Sequence, residues 1–279
     1  MIKEMAHNLG VTTHFIATFA RGASHAYKTY SIPKKNGSFR TIDHPSRQLK
    51  AMQRWILEYV LKDLPVHPAA MAYQKGKSIF DNASAHTKSR FLLRMDCKDF
   101  FHSITEDDLK LLIAARPATF AAWPSFEIEI FCKLVCKNRR LTIGAPTSPA
   151  LSNAVCYDMD SQLSEISKKL SICYTRYADD LFFSANLPSV LATIEPIVSL
   201  TIANLSFPKS LTINSAKTRR SSKRGTRRVT GITLGSDGEP HIGRHFKRKI
   251  RALIHHVDTL DPKNRVTCGP DCLCKRVRS

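Results

Sequence analysis

Apolar residues recur along the 279-residue chain in two periods, and the changes of period mark its elements. Residues 1–27 carry Leu9, Val11, Phe15, Ile16 and Phe19 at helical spacing, which predicts a helical N-terminal extension. From Tyr30 to Ile42 the period falls to two around Asn36-Gly37, the signature of a β-hairpin. Pro45 then opens a helix over about 46–63, with Leu49, Met52, Ile56, Leu57 and Val60 on one face. Ser78 is placed to cap a helix running through Ile79 and His86. Phe91-Leu-Leu-Arg-Met-Asp96 is a short apolar run ending in an acid, as a central strand would be. Stretches 106–115, 125–138 and 149–169 read as helices. Residues 172–184 read as strand, turn, strand, with the turn at Ala178-Asp179-Asp180. A helix over 187–207 and strands over 211–214 and 228–234 follow, then a hairpin at Ser236-Asp237-Gly238 and a basic amphipathic helix over 243–257. No internal repeat or low-complexity linker interrupts this order.

Composition narrows the class. Hydrophobic residues make up 43% of the chain, too many for a disordered basic tail. No run of about 18 apolar residues occurs, so no transmembrane helix is expected. Met1-Ile2-Lys3-Glu4-Met5-Ala6-His7 lacks the apolar stretch of a signal peptide, and a cytoplasmic protein away from membranes is the expectation. Lys and Arg number 43 against 23 Asp and Glu, a net charge of +20. On a folded chain that charge favours a polyanion, most simply nucleic acid; the plain alternative is a basic protein with a solvated surface.

The charge is uneven. Residues 217–251 hold 12 basic side chains against Asp237 and Glu239, a net of +10 and half the total. A second cluster holds Lys28, Lys34, Lys35, Arg40, Arg47, Lys50 and Arg54, while 91–200 is nearly balanced. Two basic flanks around a neutral centre suit a cleft better than an appended basic tail. Cys97, Cys132, Cys136, Cys156 and Cys173 lie among apolar residues, as reduced buried thiols do. Cys268, Cys272 and Cys274 are denser and read either as thiolates for zinc, with His255 or His256 as the remaining ligand, or as part of a flexible tail.

The sharpest chemical feature is Tyr177-Ala178-Asp179-Asp180, two acids between apolar strands. Carboxylates beside a core are costly unless a cation compensates them. Asp96 stands at the end of another apolar strand. Three carboxylates on two adjacent strands make a two-metal site for Mg²⁺, which prefers oxygen ligands. One ion would activate a hydroxyl nucleophile, and the other would neutralise a triphosphate. The alternative is a polar hairpin turn, since Asp pairs are common in turns.

Residues 28–257 resemble the reverse transcriptases, and within them the bacterial retron enzymes. Arg94-Met-Asp96-Cys-Lys-Asp-Phe100-Phe101-His-Ser-Ile104 resembles the first catalytic motif, and Gly144-Ala-Pro-Thr-Ser-Pro-Ala-Leu-Ser-Asn153 the second. Tyr177-Ala-Asp-Asp180 is similar to the YxDD box, Leu211-Thr-Ile-Asn-Ser-Ala-Lys217-Thr218 to the fourth motif, and Val229-Thr-Gly-Ile-Thr-Leu234 to the primer grip. Asn82-Ala-Ser-Ala-His86 resembles the retron NAxxH signature and Val229-Thr230-Gly231 its VTG signature.

The resemblance implies an α+β right-hand polymerase fold with fingers, palm and a small helical thumb. The expected division is an N-terminal helical extension at 1–27, fingers at 28–90, and a palm at 91–234 with fingers-type helices inserted about 106–150. Thumb and basic tail follow at 235–279. By the same resemblance Asp96, Asp179 and Asp180 ligate two Mg²⁺ ions, with the Cys97 backbone carbonyl as a further oxygen, while Asp99 is structural. Phe101 matches the steric gate against a ribose 2′-hydroxyl or packs in the core, as Phe100 does. Lys34, Lys35 and Arg40 border the triphosphate, with Arg40 suited to bidentate phosphate binding, and Gly144 and Ala145 line the nucleotide. Lys217 either protonates departing pyrophosphate or binds phosphate. Thr142-Ile143 stands where many relatives carry Pro-Gln, so a nucleotide-facing hydrogen bond is missing.

The implied activity is RNA-directed DNA synthesis on a cognate non-coding RNA, primed by an internal guanosine 2′-hydroxyl and giving branched RNA-linked DNA from dNTPs. RNA contacts are expected from Arg244, Lys247, Arg248 and Arg251, from Val229, Thr230 and Gly231, and from Asn82 and His86, the last two alternatively capping and packing their helix. The family further implies antiphage defence with a separate effector or toxin protein. The alternatives are a non-templated or protein-primed antiphage polymerase and a catalytically silent RNA-binding scaffold.

Overall fold

The computed structural model describes residues 1–34, 37–120 and 123–260. The N-terminal segment is helical and forms two helices: α1 (Ile2–Leu9) ends at Gly10, whose φ of 65° is left-handed, and the Thr12 hydroxyl accepts from the Phe15 N–H to start α2 (Thr13–Arg21). Strands β1 (Tyr27–Pro33) and β2 (Phe39–Pro45) pair antiparallel from Tyr27↔Pro45 to Pro33↔Phe39. Lys35 and Asn36 of the expected turn lie outside the described residues. Ser46 caps α3 (Arg47–Tyr59), which buries Leu49, Met52, Trp55 and Ile56. Ser78 and Asp81 form a reciprocal capping box on α4 (Ile79–Ser84), which ends two residues before His86.

Strand β3 (Phe91–Asp96) leads into α5 (Glu106–Ala115), α6 (Pro117–Phe120), α7 (Ser125–Val135), α8 (Ser148–Val155) and α9 (Tyr157–Lys169). The continuous helix expected over 149–169 is thus divided at Cys156. Strands β4 (Cys173–Tyr177) and β5 (Asp180–Ala185) come next. The stretch 187–207 is also two helices, α10 (Pro188–Ala192) and α11 (Ile194–Asn204). Beyond them are β6 (Arg219–Ser222), β7 (Arg227–Val229), β8 (Ile232–Leu234), β9 (Pro240–His241) and α12 (Arg244–Leu260).

The central sheet has the antiparallel order β4-β5-β3-β6. Its β3 and β5 alternate their side chains between two faces. Leu93, Met95, Leu181 and Phe183 pack against Met159 and Leu163 of α9 and Val198 and Ile202 of α11. Leu92 and Phe182 face the other way, onto Ala83, Val229 and Leu234. A separate core joins α1, α2, α3, α5, α7 and α8.

Two expected strands are corrected, and one unexpected strand is added. Residues 211–214 form no strand; they hold one bridge, Cys97↔Ile213. The expected strand over 228–234 is a tight hairpin, with Thr230 (φ 49°) and Gly231 (φ 88°) both left-handed between Val229 and Ile232. Edge strand β6 was not expected, because Arg219-Arg220-Ser221-Ser222 lacks apolar alternation; the ladder with β3 makes it a strand. The Ser236-Asp237-Gly238 hairpin does join β8 to β9. Cys268, Cys272 and Cys274 lie outside the described residues.

Candidate active site

The last residue of β3 and the first of β5 are paired: Asp96 lies opposite Asp180. The turn before β5 brings Asp179 alongside, its carbonyl accepting from the Cys97 N–H at 2.8 Å. Ala178 in that turn has a φ of 56°, unusual for a residue with a Cβ. Asp96, Asp179 and Asp180 therefore lie at the same end of the β3–β5 pair. Asp96 is buried, and Asp179 and Asp180 are both half-buried.

Each flanking acid is engaged by a cation of the chain. Lys217 Nζ lies 2.8 Å from Asp96 Oδ1. Arg94 Nε and Nη2 grip Asp180 at 2.9–3.0 Å. Burial pushes the Asp179 carboxyl upward, and the Asp96 charge adds to this, against the opposing charges of Lys217 and Arg40. Asp180 is pushed up to about 6, first by burial and then by Asp179, although Arg94 pulls it down. Among the described residues no three Asp, Glu, His or Cys side chains already converge as ligands for one ion. The donor chemistry nonetheless fits a hard divalent cation: the groups are carboxylate oxygens, and the two raised carboxyls would be relieved by added positive charge.

The rim is built from distant segments. Tyr73, at φ 62°, and Phe101 are neighbouring rings at 6.4 Å. Phe101 is half-buried and also packs edge-on to Phe100, which is buried in the core. The charge of Arg40 on β2 opposes the rise of the Asp179 and Tyr73 groups. The hairpin is anchored from behind by buried Asp43. Lys137 Nζ lies 2.5 Å from its Oδ1, and the Thr29 and Thr142 hydroxyls also donate to it. Burial alone would raise the Asp43 carboxyl, but these hydrogen bonds hold it low. The Asp43 N–H donates to the Ile143 carbonyl at 2.8 Å. Gly144 follows at a φ of 117°, and a Cβ there would lie 2.5 Å from the Asp43 carbonyl oxygen. Gly144 is exposed and Ala145 buried, so Gly144 is the open half of that pair. Lys34 lies at the exposed end of the hairpin; Lys35 lies outside the described residues.

The remaining residues separate into buried and exposed groups. Asn82 and His86 are fully buried. His86 bonds the Ser184 and Thr175 hydroxyls, each at 2.8 Å, and Thr175 donates to Asn82 Oδ1 at 2.6 Å. Burial lowers His86 to about 3, so it is neutral. Of the two roles expected for this pair, packing is the one its surroundings carry. Val229 is likewise buried, whereas Gly231 is exposed at the hairpin tip and the Thr230 hydroxyl donates to the Ile79 carbonyl. Lys247, Arg248 and Arg251 lie exposed along α12, whose first residue is Arg244.

Comparison with known proteins places this arrangement. The family model "Reverse transcriptase (RNA-dependent DNA polymerase)" matches residues 32–234. The retron Ec83 reverse transcriptase of Escherichia coli is 37% identical over 84% of this chain and 76% of its own length. The retron Mx162 reverse transcriptase of Myxococcus xanthus is 37% identical over 91% of this chain and 58% of its own. The retron Ec86 reverse transcriptase of Escherichia coli is 33% identical over 92% and 78%. Among solved structures, apo telomerase from Candida tropicalis aligns with a TM-score of 0.51 at 13% identity, covering 81% of this chain and 59% of that one. Telomerase from Candida albicans in complex with a fragment of telomeric RNA aligns at 0.52 and 12%, covering 90% and 53%. At such identity these two show the fold alone.

The match over residues 32–234 makes this fold that of a reverse transcriptase (RNA-dependent DNA polymerase) domain. The chain belongs to the reverse transcriptase family, and within it to the retron reverse transcriptases.

Four groups escaped the sequence reading: Arg94, the Asp43–Lys137 pair, Tyr73, and the buried Arg176–Asp160 pair. Only Arg94 left a trace. It stands two residues before Asp96, hence on the same strand face, as the one charge inside an apolar run.

Proposed function

We propose that this protein is the RNA-directed DNA polymerase of a retron, copying a cognate structured non-coding RNA into branched, RNA-linked single-stranded DNA from an internal 2′-hydroxyl. The observation that carries the reading is the Asp96↔Asp180 pairing with Asp179 beside it, at a rim that also holds Lys217 and Arg40. Membership among the retron enzymes supports the RNA partner, and the net charge of +20 supports a nucleic acid.

In this reading the β1–β2 hairpin with the surrounding helices serves as fingers, the four-stranded sheet as palm, and α12 as the start of a thumb. Asp96, Asp179 and Asp180, with the Cys97 carbonyl, would hold two Mg²⁺ ions. Bound there, those ions supply Lewis-acid activation of the primer hydroxyl and charge neutralisation at the triphosphate. The chain's own groups do the rest. Arg40 and Lys34 receive the triphosphate, and Gly144, whose missing Cβ lets it pack against the Asp43 carbonyl, lines the nucleotide with Ala145. Phe101, backed by Tyr73 and Phe100, bars a ribose 2′-hydroxyl. Lys217, already at Asp96, is placed to give a proton to departing pyrophosphate. Lys247, Arg248 and Arg251 meet RNA phosphates.

A cytoplasmic setting, antiphage defence and a separate effector protein complete the proposal. No helix among the described residues is long and apolar enough to cross a membrane. Incorporation of labelled dNTPs on an RNA template, with and without Mg²⁺, tests the polymerase reading. No incorporation would sink it.

A further inference from the structure

Beneath the acid-bearing turn lies a fully buried ion pair that the polymerase reading leaves without a role. Asp160 of α9 and Arg176 of β4 are both 0% exposed. Arg176 Nε lies 2.9 and 3.0 Å from the two Asp160 oxygens, and Nη2 lies 2.6 Å from Oδ2. The Tyr174 hydroxyl donates to Oδ1 at 2.8 Å. One guanidinium nitrogen, Nη1, turns away from Asp160 and donates to the carbonyl of Ala178 at 3.2 Å.

That last contact is the informative one. Ala178 is held in the left-handed region, where a residue with a Cβ is disfavoured and persists only when its surroundings fix it. Its carbonyl shares a planar peptide unit with the Asp179 N–H. The next peptide unit is held by the Cys97 N–H on the Asp179 carbonyl at 2.8 Å. Both peptide planes around Asp179 are therefore pinned, one by a backbone group and one by the Arg176 side chain. Arg176 is itself immobilised on a third segment: its N–H donates to the Ala69 carbonyl at 2.8 Å, and its carbonyl accepts from the Met71 N–H at 2.7 Å.

A buried ion pair is a weak source of stability, because desolvation offsets the attraction. Its geometry here serves direction instead. We propose that Arg176, oriented by Asp160 and Tyr174, is a positioning residue that sets the backbone of Asp179 and so the cation-binding geometry of the acid edge. This rests on the polymerase reading for the activity it modulates, but its geometry is independent of it.

Two variants of the full chain test it. Arg176→Lys keeps the charge, but a single ammonium cannot both chelate Asp160 and reach Ala178. Asp160→Asn/Arg176→Met removes both charges together and leaves Tyr174 an acceptor. Each is measured for Tm, for Mn²⁺ binding by electron paramagnetic resonance without substrate, and for kcat and KM in primer extension. The expected result is an unchanged Tm, a Mn²⁺ midpoint raised about tenfold, and kcat lowered about 10²-fold with the dNTP KM nearly constant. Unchanged Mn²⁺ binding in either folded variant overturns the proposal, and so does loss of folding in both, which makes the pair a stability element. An inactive wild type that still binds Mn²⁺, with the midpoint shifted in the variants, would count against the polymerase reading and not against this one.

Discussion

Asp96 and Asp180 stand directly opposite each other across the β3–β5 ladder, and each is held by a different cation, Lys217 on one side and Arg94 on the other. Two carboxylates so close repel each other, and each has found its own counter-charge. In the proposed reading, a divalent cation bound here would compete with Lys217 and Arg94 for the carboxylates. Asp96 and Asp180 are thus paired within the chain, whereas the Asp179 carboxyl has no ion pair of its own among the described contacts and is pushed up by burial.

Substituting Asp179 or Asp180 by Asn removes a carboxylate charge from the proposed cation site while leaving the α12 surface unchanged. Asp179→Asn and Asp180→Asn are each expected to lower DNA synthesis by about 10³-fold. RNA affinity, measured by filter binding, stays within about twofold.

The pH dependence follows from Asp180. Its carboxyl moves from 3.8 to about 6 in the folded protein, mainly through burial. The folded state therefore holds a proton that the unfolded chain releases, so stability without divalent ions falls as pH rises from about 4 to about 6. Arg94 lowers this carboxyl, so Arg94→Gln raises it further. Thermal denaturation across pH should show the falling window extend upward in Arg94→Gln, and the acidic limb of the activity profile should move the same way. An unmoved limb would separate Asp180 from the titration.

His86 gives the opposite sign. Burial lowers it to about 3 from 6.5, so the unfolded chain gains the proton first. Its share of stability is complete above 6.5 and is lost as pH falls toward 3. His86→Ala takes one buried hydrogen bond from each of the Thr175 and Ser184 hydroxyls, which keep Asn82 and Ser89 as partners, and should cost about 1–3 kcal/mol in chemical denaturation. RNA affinity of the folded variant should not change; a large loss of affinity would restore direct RNA contact for this signature.

Phe101 is half-buried against Tyr73 and Phe100, so its ring is held at the rim. Phe101→Ala should relax exclusion of ribonucleotides by on the order of 10²-fold in kcat/KM ratio, read from competing dNTP and rNTP incorporation.

Lys247 and Arg248 are exposed on α12. Lys247→Glu/Arg248→Glu should weaken RNA binding and flatten its dependence on the logarithm of salt concentration by about 2 in slope. Mn²⁺ binding at the acids should be unchanged.

How much of this was legible depended on sequence distance. The acid-ended strand at Asp96, the Asp179-Asp180 turn and the α12 amphipathic pattern are local features, and the structure carries them. The Asp43–Lys137 and Arg94–Asp180 contacts join residues 94 and 86 positions apart, and no period or spacing encodes such pairs. Arg176 and Asp160 are 16 apart, but each reads alone as a surface charge; only the packing of α9 under β4 buries them together. Helix breaks at Cys156 and Thr193 escaped because the apolar pattern runs through them. Asn82 and His86 have side chains suited to RNA, and their complete burial is a tertiary fact.

The central claim is RNA-templated DNA synthesis at the Asp96, Asp179 and Asp180 edge. Its most direct test incubates the purified full chain with RNA transcribed from the neighbouring non-coding locus, labelled dNTPs and Mg²⁺. The account predicts labelled DNA covalently joined to RNA, shortened by ribonuclease treatment and absent from Asp179→Asn/Asp180→Asn. Absence of an RNA-linked product, or its persistence in that variant, would contradict it.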